Sequence, residues 1–196
     1  MFLTLGVGGA LLAMYLIFVV DASIIPTVPE VFIVGFFTLH TLFGLTPVLW
    51  ALALLATALA GEATGNTALY VVVKNAIVRR GMMPRRVERW MRRWTDFLLL
   101  HDERIILLNR VIPVVPFVGA FIAALDWDYR RSLAYIVAGA GAKYAALLFL
   151  VGAVGVAYDP AAAGWITLVL VLGLVGASGA GAYLYRRKKR STGGAP

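Results

Sequence analysis

The sequence predicts an all-α integral membrane protein: about four transmembrane helices plus two opposed re-entrant helical hairpins in an inverted repeat. Three observations lead there: a shortage of charge, apolar runs of bilayer length, and one proline phrase written twice. Of 196 residues, 61% are hydrophobic and 14% charged, with a mean hydropathy of +0.86. A soluble domain of this length keeps roughly a quarter of its residues charged to wet its surface. This chain has too few. The repeated phrase is IPTVP at 25–29 and IPVVP at 112–116. Pro26, Pro29, Pro113 and Pro116 lack an N–H and clash with the preceding turn, so each phrase should interrupt a helix inside an apolar stretch.

A crossing needs about 20 apolar residues. Residues 2–20 qualify, and they lack the basic start of a signal peptide, so a retained helix is expected. Residues 47–73 qualify if Glu62 and Asn66 face protein, and 132–157 and 163–185 complete the four. The stretches 22–45 and 104–125 hold the proline phrases. Non-helical backbone at membrane depth is tolerated where protein or a water-filled cavity surrounds it, so both are expected to dip in and return.

Charge placement sets the sides. No Lys or Arg precedes Lys74, eight lie between Lys74 and Arg93, and five form the run 186–190. Basic clusters flanking apolar spans mark cytoplasmic loops. With Arg130 and Arg131 also inside, 104–125 enters and leaves on the cytoplasmic face and 22–45 on the outer face. Helices 2–20 and 47–73 then cross in opposite directions, both termini are cytoplasmic, and 186–196 is a basic tail in a cell-membrane protein. Between the halves, 80–98 has Val87, Trp90, Met91, Trp94 and Leu98 on one face and arginines on the others. That is the pattern of a helix lying flat in the interface.

Ionisable groups inside spans cost at least ~2.5–3.5 kcal/mol and are functional candidates by default. Glu30 follows Pro29 in the first turn of a re-entrant helix, where it either complements the helix dipole or exchanges a proton. Arg110 precedes the second phrase, and its planar fork matches phosphate oxygens; it could also pair with Glu30 or Asp126. Glu62, Asn66, Tyr70 and Lys74 form a polar stripe on one helix face, beside a Gly61-x-x-x-Gly65 step suited to close packing. Lys143 could pair with Glu62 or snorkel to an interface.

Some classes drop out. There is no cysteine, so thiol chemistry, disulfides and Cys-ligated metals are excluded. His40 and His101 have no partners at ligand spacing. No metal, other cofactor or enzymatic activity is expected, and the charge placement argues against nucleic acid. Small-residue runs such as GLVGASGAGAY could pack internally or against a second protomer.

The residues IIPTVPE, GEATGNTALYVVVK and NRVIPVVPFVGAFIAALDWDYRR, in that order, resemble the DedA family, also called the VTT or SNARE-associated Golgi protein domain. The matches are Pro26, Pro29 and Glu30; then Gly61, Gly65, Asn66, Tyr70 and Lys74; then Arg110, Pro113, Ala123 and Ala124. They cover roughly residues 20–157. Asn66 stands where the family has an acid, Lys74 where it has an arginine, and Pro116 where it has a second arginine. The PFVGAFIAAL stretch is also similar to the small multidrug exporter-like branch. The resemblance implies a lipid translocator, a flippase or scramblase for a polyprenyl phosphate or an anionic phospholipid, coupled to protons. Arg110, Lys74, Asn66 and Tyr70 would then bind phosphate, Glu30 and Glu62 would couple protons, and Asp126 and Lys143 would serve as charge partners. The rivals are a proton-coupled exporter of small amphipathic molecules and a non-transporting membrane scaffold.

Overall fold

The computed structural model describes residues 6–25, 28–84, 103–111 and 117–157, and positions 86, 89, 91, 169 and 173. Among these residues all regular structure is helical. The protein is helical with three helices long and apolar enough to cross a membrane: Gly6–Ser23, Pro47–Val78 and Tyr129–Ala153. The expected span 163–185 and tail 186–196 lie outside the described residues, apart from Val169 and Gly173. So do Pro26, Pro113 and Pro116.

Helix α1 is Gly6–Ser23 and α2 is Pro29–Phe37, the two parted by the first proline phrase. Pro29 opens α2, where a missing N–H costs nothing. A single 3-10 turn, Thr38–Thr41, follows it. Helix α3, Pro47–Val72, is capped by Thr46, whose hydroxyl accepts from the Leu49 N–H at 3.4 Å, and again starts on proline. It runs on through a π turn, Val73–Val78, in which the Arg79 N–H reaches back to Lys74 O. Helices α4, Ile105–Val111, and α5, Val118–Ala124, flank the second phrase. Helix α6, Tyr129–Ala157, starts three residues before the expected span. The Asp128 carboxylate caps it by accepting from the Arg131 N–H at 2.7 Å.

Glycines set how the helices run. A Cβ on Gly61 would lie 2.7 Å from Phe18 Cβ and 2.9 Å from Tyr15 O, and one on Gly65 would lie 2.5 Å from Val19 O and 2.8 Å from Ala22 Cβ. Moving along α3 therefore moves the same way along α1. The two helices are parallel, and their starts lie at the same end of the bundle. This corrects the opposite crossing directions expected for 2–20 and 47–73. Charge bias could not reveal this, because no cation precedes Lys74 to report on α1. The 22–45 stretch holds the last residues of α1, all of α2 and the 3-10 turn.

The other helices take their direction from α3 and α6. α5 runs with α3: a Cβ on Gly119 would meet Asn66 O at 2.3 Å, and Asp126, just past α5, reaches Lys74. α4 and α6 start together, with Glu103 3.7 Å from Arg131. α2 runs with α6, as Glu30 pairs with Lys143 and Phe37 lies against Gly152. One apolar cluster joins α1, α2, α3 and α6 around Met14, Phe18, Ile33, Trp50 and Tyr144. A second gathers Ile105, Ile106, Phe121, Ile122 and Ile136 at the other end. Of the expected interfacial helix 80–98, residues 80–84 form a turn and coil. Arg86, Arg89 and Met91 are helical, with the arginines exposed and Met91 buried.

Replacing Gly65 or Gly119 by alanine pushes a methyl into opposing backbone that cannot swing aside. Each is expected to cost about 1–3 kcal/mol, read as a lower unfolding midpoint in detergent. Gly8→Ala, with nothing within 4 Å of the added carbon, should not lower it.

Candidate functional site

Glu62 is residue 16 of the 32 in Pro47–Val78 (62 − 47 + 1), and Tyr144 is residue 16 of the 29 in α6 (144 − 129 + 1). The middles of the two long helices meet there. The Tyr144 hydroxyl donates to Glu62 Oε1 at 2.7 Å, with Glu62 2% exposed and Tyr144 fully buried. Phe18 of α1 packs edge-on against the Tyr144 ring at 5.4 Å and seals this contact.

The preceding residue on α6, Lys143, forms an ion pair with Glu30 in the first turn of α2. Its ammonium also lies 5.6 Å from the Tyr144 ring centroid, within range of a cation–π attraction. The two side chains are 23% and 10% exposed, so this pair is less sealed than its neighbour. Consecutive residues of α6 thus hold one carboxylate from α2 and one from α3. The pairings differ from the options the sequence offered, since Lys143 takes Glu30 rather than Glu62. The packing of α2 against α6, not spacing along a helix, brings them together. Asp21, half-buried in the last turn of α1, is a further carboxylate. It was not singled out from the sequence, although an acid closing a long apolar run was a signal.

One turn further along α3, Asn66 is buried and its amide is taken up by protein. It donates to Glu62 O at 3.0 Å and accepts from the Gly119 N–H at 3.2 Å. The Asn66 side chain therefore ties α5 to α3. Tyr70 stacks on Tyr129, with ring centroids 4.7 Å apart, and the Tyr129 hydroxyl lies 2.8 Å from Thr67 Oγ1. Nothing in the sequence marked Tyr129 or Thr67.

Lys74, in the π turn, bonds Asp126 Oδ1 at 2.5 Å. Asp126 is exposed and has φ 56°, a left-handed conformation that aspartate tolerates better than most residues. The Lys74 pairing answers the question of Asp126's partner, which the sequence left open with Arg110. Arg110 itself lies in α4, and its side chain is outside the described residues. No cluster of metal-ligating side chains occurs among the described residues.

No family model, curated protein or solved structure matches the chain.

Two measurements follow from these pairs. The Lys74 hydrogen bond, and then its charge, hold the Asp126 carboxyl below its ordinary value of 3.8. A lowered folded-state pKa adds stability above the unfolded value, and that stability is lost as pH falls through the folded one. The unfolding gap between the native protein and Asp126→Asn should therefore be present at pH 7 and close on acidification below the ordinary aspartate range. At mid-helix, Lys143→Met leaves a buried carboxylate uncompensated and should cost about 3–5 kcal/mol. Glu30→Gln/Lys143→Met should recover most of that loss, as read by unfolding in detergent.

Proposed function

We propose that the protein is a membrane transporter that moves a lipid with a phosphate headgroup, such as a polyprenyl phosphate, between leaflets, with protons exchanging at buried carboxylates. One observation carries this reading: Glu30, Glu62, Lys143 and Tyr144 meet at the middle of the two long helices. Ionisable groups placed there are costly, and they mark substrate or proton pathways in membrane proteins.

In this reading α1–α2 and α4–α5 are two re-entrant hairpins that enter from opposite faces. Their arrangement supports an inverted repeat, because α1 runs with α3, α4 starts beside the start of α6, and each second arm packs on the other repeat's long helix. Transporters built on inverted repeats place substrate and coupling sites near the midplane, where broken helices end. The resemblance to the DedA family points to the same activity. Phosphate would be held by Arg110, whose guanidinium stays charged at any working pH. Lipid tails would remain in the bilayer, so a small helical bundle suffices.

The exporter of small amphipathic molecules is favoured by a separate observation. Three of the four residues expected to hold phosphate are engaged by protein: Asn66 by Glu62 and Gly119, Lys74 by Asp126, and Tyr70 by Tyr129. Liposomes containing the purified chain separate the readings, with labelled polyprenyl phosphate in one arm and a cationic amphiphile in the other. Movement of the phosphate lipid that is lost in Arg110→Ala, with an unchanged unfolding midpoint, supports the lipid reading. Transport of the cation alone supports the exporter.

A further inference from the structure

We infer that Lys143 is a ligand for the phosphate group, masked by Glu30 until that carboxylate takes up a proton. The inference deepens the transport reading and rests on it for the substrate class. It starts from a difference between the two mid-helix carboxylates. Glu62 is held by a neutral phenol in a closed contact, whereas Glu30 is held by a full positive charge at a partly open one. The ammonium has three N–H donors, and among the described residues its contacts are one carboxylate and one aromatic face. While Glu30 is ionised the pair is neutral and attracts no anion. Protonation of Glu30 removes the competing negative charge and leaves a largely buried cation that an anion would satisfy. It also removes the negative charge from the first turn of α2. The cap residue there, Val28, offers no side-chain acceptor, so the positive end of the helix then favours an incoming anion as well.

The step is an exchange in which no covalent bond other than O–H changes. A proton binds Glu30, the Glu30–Lys143 contact opens, and a phosphate oxygen accepts from the Lys143 ammonium. Proton and anion therefore bind together and leave together. The other titratable groups to be separated from Glu30 come from each packed element and its continuation. On α1 they are Tyr15, bonded to Thr64, and Asp21. On α3 there is Glu62, on α6 Tyr144, and beyond α2 His40, whose ring nitrogen lies 3.0 Å from Phe37 O.

Binding to the full chain in a neutral maltoside detergent tests this, with inorganic phosphate and dodecyl phosphate as probes between pH 5.5 and 8.5. Comparing variants at each pH cancels the titration of the probe itself. The native affinity should fall about tenfold per pH unit more steeply than that of Glu30→Gln, and Glu30→Gln should bind more tightly at the alkaline end. Glu30→Gln/Lys143→Met, which buries no unpaired charge, should bind at least about tenfold more weakly than Glu30→Gln alone.

Equal affinity in those two variants overturns the inference, as does failure of the native chain to bind either probe. A pH slope that persists in Glu30→Gln and vanishes instead in Glu62→Gln, Asp21→Asn or His40→Gln also overturns it. Binding of dodecyl phosphate alone assigns a lipid headgroup, and binding of both probes assigns the phosphate group whatever carries it; either supports the inference. The expected pattern in a chain that moves no lipid would leave Lys143 as an anion ligand and remove the transport reading instead.

Discussion

Close approach of backbone to backbone along α3 is the constraint on which the rest of the structure depends. On one side Gly61 and Gly65 admit α1, and on another α5 presses Gly119 onto Asn66. At these distances no Cβ fits, so the chain between the helices has little freedom in where it turns. Because α1 is held parallel to α3, residues 24–46 must lead back to the end from which α3 starts. α2 is that return. Its first turn then comes to rest beside the middle of α6, where Lys143 meets Glu30.

The electrostatics follow from depth. At mid-helix each carboxylate is held by a side chain of α6, Glu30 by an ammonium and Glu62 by a phenol. Removing charges from water costs several kcal/mol per ion, and good geometry only repays that cost. A buried ion pair is therefore a weak source of stability, and it becomes a natural place for exchange when a proton alters one partner. The Lys74–Asp126 pair is a different object, since its carboxylate stands in solvent and the pairing fastens the α5–α6 turn to the end of α3. Where the chain can be wetted, a charge pair acts as a clasp; where it cannot, the same chemistry acts as a lock.

Much of the fold was legible because bilayer length and proline chemistry are local properties. Three apolar helices, the break before Pro29, the glycine step on α3 and the burial of Glu62 and Asn66 could all be read from a few adjacent residues. What stayed hidden depends on packing between distant parts. Lys143 lies 113 residues from Glu30 (143 − 30), and nothing in either neighbourhood prefers that pairing over Glu62. The direction of α1 was hidden for another reason: the sign of flanking charges fixes sidedness, and α1 has no flanking cation. Tyr144 was visible as an isolated aromatic in AGAGAKYAALL, yet its role required knowing that α3 and α6 cross at their centres.

Distances between spin labels test the parallel hairpin arrangement most directly, and the absence of cysteine allows labels to be placed freely. Leu12, Leu52 and Val72 are all exposed and lie away from the polar cluster. With α1 parallel to α3, a label at Leu12 should be markedly closer to one at Leu52 than to one at Val72. The reverse order would make the two helices antiparallel, and would remove both the return arm and the meeting of Glu30 with Lys143 that depends on it.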